Sequence, residues 1–143
     1  MTNLAGRTAL VVEDDPSLQL AMVKQLEKAG FQVLTALDFD AAVRHLSARK
    51  PDIACIDLGL PSESGYELCE HIRSQPHLIW LPILVTSERG FPEDRAHAEE
   101  AGANAFLKKP FTMNHLLDNV NHLLDGPLSS RPGMCRLRLP NEP

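Results

Sequence analysis

A chain of 143 residues, 43% hydrophobic and 23% charged, has the length and balance of one soluble globular domain rather than a disordered, collagen-like or coiled-coil chain. Its 14 lysines and arginines against 19 acids give a net charge of −5, which argues against a domain that holds nucleic acid by neutralising phosphates. The three cysteines, Cys55, Cys69 and Cys135, form no CxxC pair, so neither a disulfide framework nor a zinc ribbon is supported and a reducing cytoplasm suits them. Met1 to Arg7 lacks the basic and apolar regions of a leader, and the run Leu78 to Val85 is broken by Pro82 and falls far short of the ~20 residues of a membrane span.

In chain order, Ala9–Val12 is a short apolar run of the kind buried in a parallel sheet. Asp15 can cap a helix with Pro16 at its first position, and Leu18, Met22 and Leu26 recur at four-residue spacing until Gly30 stops it. Phe31–Thr35 alternates apolar and polar residues, as an edge strand does. A helical pattern from about Asp38 to Arg49 carries Ala42, Val43 and Leu46, and Ile53–Ile56 is the next buried strand. Ser64–Ser74 carries Leu68 and Ile72, and Ile83–Val85 reads as a strand. In Pro92–Ala101 the only apolar residues are Ala96, Ala98 and Ala101, so this helix buries little and is weakly held at about 0.8 kcal/mol per buried CH₂. Ala105–Leu107, another apolar run that suits a strand buried on both faces, and the broad helical stripe Met113, Leu116, Leu117, Val120 and Leu124 complete the pattern.

Five strand–helix pairs with short connections predict an α/β fold, a doubly wound five-stranded parallel sheet of (βα)5 type covered on both faces. Residues 1–125 form the domain, and 126–143, with four of the 11 prolines and no apolar period, read as a Pro-rich tail with no assigned role. Arg131, Arg136 and Arg138 against Glu142 give that tail +2, leaving −7 for residues 1–125.

Ligands of open parallel sheets bind beyond the carboxyl ends of the strands. Those ends carry Glu13, Asp14 and Asp15, then Asp57, then Thr86 and Ser87, then Lys108 and Lys109. Singly, acids cap helices, hydroxyls close turns and lysines decorate surfaces. Together, four strands deliver complementary groups to one rim, and converging carboxylates are commonly made tolerable by a hard divalent cation.

On these residues the sequence resembles the receiver domain of two-component response regulators, single-domain chemotaxis regulators included, over about residues 7–125. The resemblance is carried by Val11-Val12-Glu13-Asp14-Asp15, by Asp57-Leu58-Gly59-Leu60-Pro61 with Gly65 eight residues after Asp57, by Thr86 after an apolar strand, and by Lys109-Pro110-Phe111. It implies a flavodoxin-like sheet in the order 2-1-3-4-5. It implies Asp57 as phosphoacceptor, with Mg²⁺ (or Mn²⁺) held by Asp14, Asp57 and the Gly59 backbone carbonyl and aided by Glu13 through water. Lys109 and Thr86 would contact phosphoryl oxygens, with Lys108 the less favoured lysine, and Pro110 would follow a cis bond that aims Lys109. Asp15 is read as the helix cap.

The resemblance also implies that Thr86 moves toward the phosphoryl group while Phe106 turns inward, altering the face of helix four, strand five and helix five; taken alone, Phe106 is an ordinary core residue. Gly59 and Glu88 stand at places that modulate phosphate lifetime in this family, and Phe91 adds a bulky aromatic to a mobile loop. His45, His71, His77, His97, His115 and His122 lack metal-ligand spacing and read as surface or packing residues, and Trp80 beside Pro82 as packing before strand four.

The implied function is a cytoplasmic phosphorylation-dependent switch of a phosphorelay and not an enzyme acting on a separate substrate. Its partners are a sensor histidine kinase or histidine phosphotransfer protein and a downstream protein, with no direct nucleic acid binding. The alternatives are a receiver-like interaction module that is never phosphorylated, and an aspartyl-nucleophile phosphatase, whose usual DxD signature fails because Gly59 stands two residues after Asp57. No GxGxxG and no P-loop follows the first strand.

Overall fold

The structure, a computed structural model, describes residues 6–61 and 63–125. Five strands alternate with five helices: β1 (Thr8–Val12), α1 (Pro16–Lys28), β2 (Gln32–Ala36), α2 (Phe39–Ala48), β3 (Ile53–Asp57), α3 (Gly65–Ser74), β4 (Ile83–Ser87), α4 (Pro92–Ala101), β5 (Ala105–Lys108) and α5 (Met113–Asp125). A single 3-10 turn, Pro76–Leu78, which the periodicity does not reveal, precedes β4. All neighbouring strands pair in parallel in the order β2-β1-β3-β4-β5. This is the flavodoxin-like sheet that the sequence predicts. The Pro-rich tail assigned to 126–143, and Cys135 with it, lies outside the described residues.

Local chemistry sets the helix boundaries. Asp15 accepts the Ser17 N–H at 3.0 Å with Pro16 at the first helical position of α1, and Asp38 accepts from Ala41 N at 2.9 Å to start α2. Ser64 and Glu67 form a reciprocal capping box at the head of α3.

Two apolar layers flank the sheet. Met22, Leu26, Leu116 and Val120 of α1 and α5 pack on Ala9, Val11, Cys55 and Leu84. Leu46, Leu68, Ile72 and Ala98 of α2, α3 and α4 pack on Leu10, Val12, Ile56 and Val85. The strands β1, β3 and β4 are buried throughout, and each large aliphatic side chain sequestered this way contributes roughly 1.5–3 kcal/mol.

Two expectations need correction. The run Ala105–Leu107 is not buried on both faces: β5 is the edge strand opposite β2 and only Leu107 in it is buried, because a sheet ends somewhere and the last strand keeps one side open. Trp80 does not pack into the core before β4; it is 45% exposed beside Ile79, and the core position at that bend is taken by Leu78 and Leu81.

At that end of the sheet Arg73 of α3 clamps several segments. Its guanidinium donates to Gly102 O at 3.0 Å, Ile79 O at 3.2 Å and Asn104 Oδ1 at 2.8 Å. Gly102 closes α4 with φ +112°, and a Cβ there would come within 2.5 Å of Arg73 Cγ.

Candidate functional site

The parallel register brings the rim residues to one place. Asp57 is the last residue of β3 and pairs directly with Thr86 of β4, while Glu13 follows β1 and Lys109 follows β5. Glu13, Asp57 and Thr86 are buried, and Asp14 faces solvent. One oxygen from each of Glu13, Asp14 and Asp57 lies within 4.8 Å of the others. The Lys109 ammonium reaches into this group, 3.0 Å from Glu13 Oε1 and 3.4 Å from Asp57 Oδ2.

The charge balance is uneven, with three carboxylates against one ammonium. Burial, with the Asp57 charge adding to it, pushes the Glu13 carboxyl up to about 7 despite the opposing Lys109 and Asp15 hydrogen bonds. Asp14 is raised by desolvation and by its proximity to Asp57. Partial burial works against the charge on Lys109, but its hydrogen bond to Glu13 and the neighbouring negative charges outweigh this and raise its pKa. A cleft of hard oxygen donors with excess negative charge fits a divalent cation of the Mg²⁺ kind, and Glu13 Oε1, buried and without a well-aligned hydrogen bond, adds to that fit.

Backbone positions hold the cleft. The Gly59 N–H donates to Asp57 Oδ1 at 2.9 Å. Gly65 donates to Leu58 O at 3.1 Å and lies so close to the β3 end that a Cβ would sit 2.4 Å from Asp57 O. The Lys109–Pro110 peptide bond is cis. Lys108, by contrast, is exposed and donates to Lys109 O. An open pocket beside the cleft is lined by Asp15, Leu18, Glu88, Lys109, Pro110 and Phe111.

The other singled-out residues lie farther out. Phe106 is half-buried on β5, and the Arg95 guanidinium of α4 stands 4.5 Å over its ring. Phe91 is 57% exposed at the head of α4. His97 stacks on Tyr66 across the α3–α4 seam at 3.7 Å, and His71 meets Phe39 edge-on. Reading along the chain missed Gln19, whose amide donates to both Glu13 O and Ala36 O at 3.2 Å and so ties α1 to the ends of β1 and β2. No local pattern signals such a bridge; only the tertiary position of α1 does.

A doubly wound sheet with an acidic, lysine-bearing cleft at its switch point defines an α/β domain built to handle a charged group at the carboxyl ends of its strands. A family model described as the response regulator receiver domain matches residues 9–121. The chain belongs to that family, the receiver domains of two-component response regulators. Among its relatives, the phosphate regulon transcriptional regulatory protein PhoB of Rhizobium meliloti (strain 1021) is 37% identical over 114 residues, 80% of this chain and 50% of that protein. The chain thus spans about half the length of the curated relatives it matches. Among solved structures, chemotaxis protein CheY4 of Vibrio cholerae superposes with a TM-score of 0.79 at 28% identity, covering 82% of this chain and 98% of that one. The receiver domain of sensor histidine kinase PA1611 from Pseudomonas aeruginosa PAO1, which has a magnesium ion coordinated in its active site cleft, gives 0.78 at 30% identity over 85% of this chain and all of that one. Among the described residues no helix is long and apolar enough to cross a membrane.

Proposed function

We propose that this chain is a phosphoacceptor switch in which Asp57 takes a phosphoryl group from the histidine of a sensor kinase or phosphotransfer protein. The observation that carries this reading is the convergence of Asp57, Glu13 and Asp14 on the Lys109 ammonium at the carboxyl ends of the strands. An Asp57 oxygen attacks phosphorus, the P–N bond to the donor imidazole breaks, and the departing imidazole takes up a proton. Asp14, Asp57 and the Gly59 carbonyl, with Glu13 assisting, would hold Mg²⁺ or Mn²⁺, which would supply positive charge against the phosphoryl oxygens. Lys109 meets that charge from a second side and Thr86 donates its hydroxyl to it. The Gly59 N–H fixes Asp57 Oδ1, and Oδ2 stands beside the Lys109 ammonium.

The donor protein reaches the cleft past Leu20 and Leu37, which are 54% and 52% exposed and flank the Gln19 bridge to Ala36 O. Phosphorylation adds about two negative charges at one point. Thr86 and Phe106 relay that change to the face of α4, β5 and α5, which contacts a downstream protein. Residues 1–125 are the receiver unit, it works in the cytoplasm without binding nucleic acid itself, and residues 126–143 take no part in the chemistry. Incubation with acetyl phosphate and Mg²⁺ followed by intact-mass spectrometry tests this. Addition of one phosphoryl mass that disappears in Asp57→Ala is expected. An unlabelled parent, or an Asp57→Ala variant labelled as readily as the parent, would overturn it.

A further inference from the structure

The link between β1 and α1 is only Glu13, Asp14 and Asp15, and its first two residues supply carboxylates to the acidic cleft. Both ends of the link are tied down. The Glu13 N–H donates to Ala36 O at 3.1 Å, at the end of β2, and Asp15 accepts the Ser17 N–H at 3.0 Å as the cap of α1. Between them Asp14 is exposed. The direction of its carboxylate depends on the Glu13–Asp14 peptide, a rigid plane that can turn about the soft dihedrals on either side and carry the Asp14 side chain with it.

Gln19, one turn into α1, reaches back over this link. Its side-chain amide donates to Glu13 O at 3.2 Å and to Ala36 O at 3.2 Å. Glu13 O belongs to the peptide in question, so the first bond sets the orientation of that plane. Ala36 O also accepts the Glu13 N–H, so residue 13 is held through its N–H by β2 and through its C=O by α1. Both bonds are partly buried, where water competes less for the carbonyls. Anchoring of α1 itself does not depend on them, because Met22 and Leu26 are buried in the layer beneath it.

We propose that Gln19 is the positioning residue of the cation site: by fixing the Glu13–Asp14 peptide it keeps the carboxylates of Glu13 and Asp14 converged on Asp57. Asp14 and Asp57 repel one another as like charges, and without the bridge the exposed Asp14 turns toward water, so that an arriving divalent ion must first reassemble its ligands. Partners that orient metal ligands from behind are commonly worth about 10–100-fold in affinity. Gln19 acts through the backbone and not by touching the ion. The inference deepens the receiver reading and rests on it for the use made of the cation.

The test titrates Mn²⁺ alone into the full, unphosphorylated chain and follows the free ion by electron paramagnetic resonance. Gln19→Met keeps the side-chain length and loses both N–H donors; it should bind Mn²⁺ about tenfold more weakly than the parent. Gln19→Glu, at a pH that keeps the introduced carboxyl ionised, adds a negative charge that alone would attract the cation, so weaker binding than the parent in this variant too separates positioning from electrostatics. Gln25→Met on the same helix should leave the affinity unchanged, and urea unfolding in EDTA measures the stability of each chain apart from the metal. In labelling by acetyl phosphate, Gln19→Met should raise the half-saturating Mg²⁺ about tenfold and leave the rate at saturating Mg²⁺ within about twofold. Parent-like Mn²⁺ affinity in Gln19→Met, tighter binding in Gln19→Glu, an equal loss in Gln25→Met, or a parent that takes up no Mn²⁺ would overturn it. A chain whose Mn²⁺ affinity depends on Gln19 but which gains no phosphoryl mass sinks the phosphoacceptor reading alone. One that is labelled on Asp57 but whose Mn²⁺ affinity ignores Gln19 sinks this inference alone.

Discussion

Replacing Gly65 by Ala tests how tightly α3 is set against the acidic cleft. The added methyl would sit 2.4 Å from Asp57 O, 2.7 Å from Leu58 Cα and 3.0 Å from Asp57 C. These are backbone atoms of β3 and its continuation, which cannot swing aside as a lysine tail can, so either α3 or the end of β3 must retreat by about an ångström. Overpacking of this kind costs ~1–3 kcal/mol, and the better helix propensity of Ala offsets at most ~1 kcal/mol. A net loss of ~2 kcal/mol lowers the urea midpoint by about 1 M for a slope of roughly 1.5–2 kcal/mol/M. Moving the Asp57 backbone also shifts its carboxylate relative to Lys109, and a misplacement near 1 Å costs about a hundredfold in rate, read as slower labelling by acetyl phosphate. Gly59→Ala is the stability control, since its methyl would meet only Asp57 Oδ1 at 3.6 Å, an ordinary contact worth less than ~0.5 kcal/mol. A Gly65→Ala chain with the parent's midpoint, or one no weaker than Gly59→Ala, would refute the close-approach reasoning.

Amide hydrogens of α4 should exchange faster than those of α5, because α4 buries only Asp94, Ala98 and Ala101 whereas α5 buries Leu116, Val120, Leu123 and Leu124; equal protection by mass spectrometry would remove this inference. Asp94→Ala strips the head of α4 of its bonds to Phe91 N–H and Arg89, so a loss of about 1–2 kcal/mol is expected, with exchange accelerated in α4 before any other helix; a parent-like urea midpoint and α4 exchange rate would count against it. Burial pushes the thiols of Cys55 and Cys69 up to about 12, holding them neutral and enclosed. In a Cys135→Ser background neither should react with a disulfide reagent at neutral pH until the chain is unfolded, and reaction of the native protein at a free-thiol rate would contradict the packing.

The elements that were easiest to read have a boundary written in neighbouring residues. Asp15-Pro16 and Ser64 with Glu67 carry their own capping chemistry, and Ile53–Ile56 is uniform because both sides of β3 are covered. The cleft was legible because a parallel sheet puts all carboxyl ends of its strands at one rim, so finding Glu13, Asp14, Asp57, Thr86 and Lys109 in sequence was enough to bring them together. What escaped depends on distant partners. The half-open state of β5 follows from strand order, not from Ala105–Leu107 themselves. Trp80 has the composition of a core residue, and its exposure follows from Leu78 and Leu81 filling the bend around it. Arg95 over Phe106, and Gln19 between two strand ends, join residues with no periodic relation.

The Arg73 clamp has a consequence for how α4 can travel. Its carboxyl end is anchored through Gly102 O to α3 and, by the same guanidinium, to Ile79 O and Asn104, while its opposite end rests on Asp94 and an exposed loop. At 1.5 Å per residue the helix is a lever about 15 Å long. Any displacement of α4 is therefore a swing about a fixed fulcrum, smallest at Ala101 and largest at Pro92, so a slight change near the cleft is delivered as a tilt and not as a slide.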